Sequence, residues 1–407
     1  MSRLTVVVVG SDKAAKIAAK RAQESNLEAR VVLLDPHSVE NLSLDMDAKA
    51  ILFEENNDPQ RLRFDSLIFT GGSGEKRTIF EKSVRFLPEF SFEISKLALQ
   101  SLKQSGIKPQ DWQAEHAKQV PDLDLLVDAG ALTAKDGTIF VDKHMSTSLD
   151  GVYACGHAVS LLKAISSNRH HSVSDSMMQR AAQVAGANAA SNHHVDALNL
   201  CAGTEVVSIG DQHFARTGLS QTELFRSGEY ARATLCDDQR MVRLVAAKST
   251  CAIISGELVG EAAFTAHINL ISLCIVNALG AEALIGLDVP PLLREAAEQV
   301  RAELSNETQS ISGEKLALWI AEARPFRCVD VSENPSGISR FVKSSHLPLK
   351  ELSHKTHLLE GDDPLIVSSE SGRSAVAAFR LLKKKLTNKP LFYLEGGTKA
   401  AQFILEN

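Results

Sequence analysis

Few stretches of this sequence bring together residues that could do chemistry. In Gly10-Ser11-Asp12-Lys13-Ala14-Ala15 a glycine follows the valine run 6–9, and small residues open a helical pattern. A dinucleotide pyrophosphate takes such a place, because the free N–H groups and dipole of a helix N-terminus favour an anion and glycines let the backbone approach it. Gly10 supplies the tight turn and Ala15 a small third residue, but Asp12 sets a carboxylate where a central glycine should meet the phosphates. Lys13 offsets that charge in part, and Asp35, at the end of the next apolar run, is placed to bind a ribose. The alternative is an empty Rossmann-like turn in which Asp12 is simply a helix N-cap. A second stretch, Ser369-Glu370-Ser371-Gly372-Arg373-Ser374, precedes another helical pattern. Its amides around Gly372, with Arg373, could form an anion-binding nest, or the stretch is a structural turn. Cys155, Cys201, Cys236, Cys251, Cys274 and Cys328 include no C-x-x-C pair, and most of them read as small buried hydrophobes. The pairs His170-His171 and His193-His194 are adjacent, so they do not share a helix face as i, i+4 ligands would, and no metal is expected.

The elements that must position these residues can be read from periodicity. Residues 4–9 and 30–35 read as buried strands around a helix over 12–24, a βαβ opening onto a parallel sheet. Residues 67–69, 123–127 and 151–154 read as further short strands, and 174–190 as a long helix with Ala and Gly on its packed face. Alternating strands then fill 205–260, followed by one apolar helix over 262–279. The polar stretch 305–310 is a domain boundary, and helix and strand alternate again over 312–407. With 407 residues, 44% hydrophobic and a net charge of −6, the chain is long enough for two or three cores and lacks the basic footprint that nucleic acid requires. Its apolar start is too short to span a membrane or to be a signal segment, so a cytoplasmic location is expected.

Taken in order, several segments resemble the pyridine-nucleotide-disulfide oxidoreductase family, and within it the coenzyme A-disulfide and persulfide reductases that end in a rhodanese domain. VVVVGSDKAA with VVLLD resembles the family's FAD-binding βαβ, FDSLIFTGG its strand ending in a threonine-glycine turn, and STSLDGVYACGHA its second flavin motif. MMQRAAQVAGANAA is similar to the helix after that motif, RFLPEFSFEISKLALQSLKQSGI to the end of the nicotinamide domain, and FARTGLSQTELFRSG to the opening of the dimerisation domain. CVDV, SHLPLKEL, SSESGRSA and LEGG follow the rhodanese order. The resemblance implies an α/β chain: a reduced FAD-type Rossmann domain over 1–200, an α+β dimerisation domain over 201–304, a linker over 305–311 and a rhodanese-like α/β domain over 312–407. It also implies a homodimer, for which the apolar residues 264–279 offer surface that a small domain could not bury alone.

The same resemblance shows what is missing. The second flavin motif ends in Gly156-His157, with histidine where the family has an aspartate on the ribityl chain. The family's redox cysteine lies just beyond the second strand, yet residues 36–44 contain none; Cys155 stands at a packing position. Some 15 residues separate the Gly71-Gly72 turn from Phe86-Leu87-Pro88, too few for a βαβ unit of about 30 residues, so NAD(P)H binding is not expected. Ser369 occupies the rhodanese cysteine position, and serine cannot carry a persulfide. No catalytic residue is assigned. FAD is the cofactor the fold admits, with Gly10, Lys13, Ala15, Asp35, Gly156 and His157 as its degenerate site, while Ser369, Gly372 and Arg373 would hold an anion. The function expected is a dimeric scaffold or binding partner in sulfur or redox metabolism. The alternatives are an FAD-dependent oxidoreductase fed by a partner protein and an anion sensor built on the rhodanese-like loop.

Overall fold

Four consecutive valines need cover on both faces, and the computed structural model places them in the centre of a parallel sheet. It describes residues 3–406 apart from 73, 75–76, 80–84, 116–117, 135, 167–168, 171–174, 192, 199 and 387–388. The chain divides into two units, Met1–Lys82 with Trp112–Glu205, and Ser83–Asp111 with Val206–Asn407. Residues 83–111, read from sequence as part of the first domain, thus group with the second unit.

In the first unit β1 (Thr5–Val9) leads through α1 (Lys13–Ser25) to β2 (Arg30–Leu34). After a three-stranded antiparallel sheet over 40–63 comes β3 (Ser66–Phe69). Between β3 and the remainder of this unit the chain forms α2 (Phe92–Gln104), which belongs to the second unit. The first unit resumes at Trp112 and continues to β4 (Val152–Ala154) and α3 (Asp175–Ala189). The parallel order is β4-β3-β1-β2. Helix α1 buries Ala14, Ala15, Ala18 and Ala22 and packs on α3, whose Gly186 permits the approach: a Cβ there would lie 2.4 Å from the Ala18 carbonyl oxygen. Residues 123–127, expected as a strand, instead form the helix Asp124–Asp128. Leu123 and Leu126, three apart, are buried while Val127 is exposed, and Asp122 Oδ1 accepts from Asp124 N at 3.0 Å; a run this short carries no decisive period.

The second unit opens on an antiparallel sheet of β5 (Glu205–Ile209), β6 (Gln212–Gly218), β7 (Tyr230–Cys236), β8 (Met241–Ala247) and β9 (Ile253–Gly260), in the order β5-β6-β9-β8-β7. The single apolar helix expected over 262–279 is two helices, Ala262–Thr265 and α4 (Ile268–Val276). The break falls at His267, whose ring nitrogen and backbone N–H both contact the Phe264 carbonyl. Phe264, Ile268, Ile271 and Ile275 are all buried within the chain, so this segment leaves less apolar surface than its composition implies. Helix α5 (Pro291–Leu304) packs on β7 and β8.

A parallel sheet follows, built from β10 (Ser310–Ile311), β11 (Arg327–Asp330), β12 (Ser344–His346), β13 (Leu365–Ser368) and β14 (Leu391–Leu394) in the order β10-β14-β13-β11-β12. Its helices include α6 (Gly313–Ala321), α7 (Arg373–Lys385) and α8 (Gly397–Leu405), and apolar clusters cover the sheet. Ser310 and Ile311, read as linker, pair with Tyr393 and Leu394, because main-chain bonding to a buried edge outweighs their polar context. Among the described residues no helix is long and apolar enough to cross a membrane.

Candidate functional site

The crevice at the carboxyl ends of β1, β3 and β4 is where an open parallel sheet receives a ligand. Gly10 turns there with φ +151°, and a Cβ on it would sit 1.9 Å from Thr70 Oγ1. Its N–H donates to the Leu34 carbonyl at 3.0 Å, which sets the end of β2, and with it Asp35, beside the turn. Asp12 caps α1: its Oδ1 accepts from Ala15 N at 2.8 Å and from the Thr70 hydroxyl at 2.9 Å. Across the crevice Gly156, at φ +69°, could not carry a Cβ without coming within 3.0 Å of Ala14 Cβ and 3.4 Å of Asp12 Oδ2. The Asp12 carboxylate is thus held by the first turn of α1 and by Thr70, on the side of the crevice that Gly156 faces.

That geometry opposes a pyrophosphate on two counts. An amide that an anion would need, that of Ala15, is already used, and a negative charge stands in the anion's place. Two charges at about 4 Å in an effective dielectric near 20 repel by roughly 4 kcal/mol before solvent screening. A helix N-terminus returns about 0.3–1 kcal/mol, so repulsion wins. The residues present do not fit a dinucleotide pyrophosphate.

The other residues assigned to this site are dispersed in role. Lys13 is exposed, Ala15 is buried, and His157 is partly buried in the short turn Gly156–Ala158. Asp35 is exposed and caps the turn Pro36–Ser38, accepting from His37 N at 2.9 Å. Cys155 is buried, and burial, then the Asp12 charge, pushes its thiol far above the usual range. Thr70 was visible in sequence only as the residue ending a strand; its bond to Asp12 joins positions 58 apart.

The loop before α7 is equally self-satisfied. Ser369, 2% exposed, accepts at Oγ from Ala375 N at 3.2 Å, so its hydroxyl oxygen takes up an amide in the first turn of α7. Its carbonyl accepts from Thr398 N at 2.9 Å, and Glu370 N donates to Ser332 Oγ at 2.9 Å. Gly372 has φ +86°, and an added Cβ would lie 3.1 Å from Gly396 N, backbone packed on backbone. Arg373 turns to α5, where its Nε is 2.6 Å from Glu295 Oε2. Glu370 Oε1 lies 3.2 Å from Lys399 Nζ, which also meets Asp238 Oδ1 at 2.6 Å; the hydrogen bond to Asp238 raises the Lys399 pKa. The loop therefore brings Ser369 and Gly372 together, while its nearest cations are already matched by carboxylates. Cys328 is buried, its thiol pushed up to about 12 by burial and then by Asp330.

His193 and His194 are exposed; the His194 ring stacks on His144 with centroids 4.1 Å apart. His171 and the His170 side chain lie outside the described residues. Among the described residues no group of three or more His, Cys, Asp or Glu could hold a metal ion.

Comparison with solved structures places this architecture. Reduced CoADR-RHD from Bacillus anthracis superposes with a TM-score of 0.85 at 13% identity, over 100% of this chain and 99% of that one. The chain has the fold of a pyridine-nucleotide-disulfide oxidoreductase with a rhodanese-like C-terminal domain. A NAD-dependent persulfide reductase from A. fulgidus gives 0.78 at 16% identity, covering 98% of this chain and 100% of that one. A water-forming NADH oxidase from Lactobacillus brevis gives 0.62 at 14% identity over 74% of this chain and 99% of its own. No family model and no curated protein matches the sequence.

Proposed function

We propose that this chain is a catalytically impaired relative of the flavin-dependent disulfide and persulfide reductases that acts as a dimeric scaffold or binding partner in sulfur or redox metabolism. The observation that carries the reading is the Asp12 carboxylate, held by Ala15 N and Thr70 on the side that Gly156 faces, where a flavin pyrophosphate would lie. Further support comes from residues 36–44, which hold no cysteine, and from Ser369, which holds oxygen where sulfur-transfer chemistry needs a thiol. FAD is the cofactor of the fold that this site resists, and no step of the proposed role uses NAD(P)H or a metal. The proposed partners are a second copy and a protein of sulfur or redox metabolism. Leu273 on α4 and Leu279 just beyond it, 57% and 40% exposed, give the second copy an apolar surface.

The purified protein should show no flavin absorption in the visible, and NADH with a disulfide or persulfide acceptor should give no turnover above a heat-inactivated control. A yellow protein that consumes NADH would instead favour the partner-fed oxidoreductase. Sedimentation should give a dimer, and a monomer at micromolar concentration would remove the dimeric part of the proposal.

A further inference from the structure

The second unit contains a chain of polar groups that neither candidate site uses. Ser310 Oγ, at the start of β10, lies 2.9 Å from Glu303 Oε2 on α5 and 2.6 Å from Glu395 Oε1 just beyond β14. Glu395 Oε1 also accepts from Arg232 Nε of β7 at 2.7 Å, and the side chains of this ion pair are only 4% and 14% exposed. A serine hydroxyl carries one hydrogen and an ionised carboxylate carries none. Ser310 can therefore donate to one of the two carboxyls and must accept from the other. Glu395 is the acceptor, because its Oε1 is already the acceptor of the Arg232 Nε–H in a buried ion pair. Glu303 is left as the donor, a carboxylic acid whose O–H reaches Ser310 Oγ.

The surroundings of Glu303 agree with that proton. Burial and the Glu395 charge push its carboxyl up to about 8, against the opposing pull of Ser310, Arg232 and Lys248. Tyr393 of β14 is buried nearby and is itself raised well above its ordinary range by burial, Glu303 and Glu395, so it stays a neutral phenol and adds no charge. Lys383 of α7 directs its ammonium to the carbonyls of Asn306 and Glu307.

We propose that Glu303, Ser310 and Glu395 form a proton-dependent latch that fastens β10, and with it the C-terminal α/β region, to α5 and β7. With the proton in place every contact has a hydrogen. Without it, two carboxylates face one hydroxyl, and β10 loosens at the turn 305–309 that joins it to α5.

Hydrogen exchange of the peptide spanning 305–311 tests this in the full chain, with rates corrected for the intrinsic pH dependence of exchange. Wild type should be protected at pH 6 and lose about tenfold of that protection at pH 9. Glu303→Gln, whose amide donates to Ser310 at every pH, should be equally protected at both. An unchanged wild type, or the same loss in Glu303→Gln, would overturn the latch. A second measurement covers a variant that does not fold: infrared spectroscopy of Glu93→Gln, which removes another carboxyl that burial holds protonated. A protonated-carboxyl band that titrates near the value given above is the result expected, and absence of that band at neutral pH would also overturn the proposal.

Discussion

At the scale of single residues, the charges that decide the two candidate sites are held by partners far away in sequence. Asp12 announces itself as a helix N-cap, and the carboxylate's clash with a pyrophosphate follows from its place in the Gly10 to Ala15 stretch alone. That Thr70 pins it could not be read, because nothing in a strand-ending threonine names a partner 58 positions back. Arg373 was legible as the basic residue of an anion-binding loop, yet Glu295 takes its guanidinium from a helix 78 positions earlier. This pairing has a testable consequence in Ser369→Cys. A thiol placed there meets the Ala375 amide, but Arg373 is paired with Glu295 and burial opposes the thiolate, so it should titrate no lower than the ordinary value of about 8.5. Adding Glu295→Gln frees Arg373 and should lower that pKa by roughly half a unit to one unit, read from the pH dependence of alkylation. A single variant already well below the ordinary value would show that the helix end alone activates the loop.

At the scale of elements, the sequence reading recovered β1 and β2, whose valine-rich runs favour strand, and α1 and the long helix α3, which are long enough to show a buried face. It failed where the run was short, as at 123–127, or where one polar residue interrupts, as at His267. Packing between helices gives the next prediction. Gly186→Ala in an exposed helix would stabilise by about 1 kcal/mol through propensity. Here the new methyl would come within 2.4 Å of the Ala18 carbonyl oxygen and 3.0 Å of Arg21 Cβ, so α1 and α3 must separate. Overpacking of this kind costs about 1–3 kcal/mol, and net destabilisation by urea unfolding is expected. A more stable variant would mean the helices separate freely.

Helix α2 contributes a pH effect through Glu93, buried and facing the charge of Glu314 on α6. Burial, then Glu314, lifts its carboxyl from 4.5 to about 8. The unfolded chain releases this proton near 4.5 whereas the folded chain keeps it to about 8, so the contribution is full below the lower value and is lost as pH rises through the higher. Thermal unfolding should thus favour pH 5 over pH 8.5 by a contribution of a few kcal/mol at most, and Glu93→Gln should flatten the slope. An identical slope in the variant would place the proton elsewhere.

At the scale of the whole molecule, each unit keeps an architecture suited to a ligand while its own side chains answer the ligand's charges. The parallel sheet of the first unit ends at a turn where Asp12 is bonded to Ala15 N and Thr70, and the C-terminal sheet ends in a loop whose Arg373 and Lys399 are paired with carboxylates. The order of motifs made this architecture legible, since each matches a strand end or a helix start; the Thr70 bond to Asp12 and the Arg373–Glu295 pair join distant segments and leave no local pattern. Whether Asp12 excludes the flavin pyrophosphate is read from equilibrium FAD binding to wild type and Asp12→Gly, followed by flavin fluorescence. Glycine at an N-cap costs only a few tenths of a kcal/mol, so the variant should fold. It should bind FAD at least about tenfold more tightly than wild type, given the repulsion removed. Equal affinities for the two proteins, at whatever level, would contradict the claim.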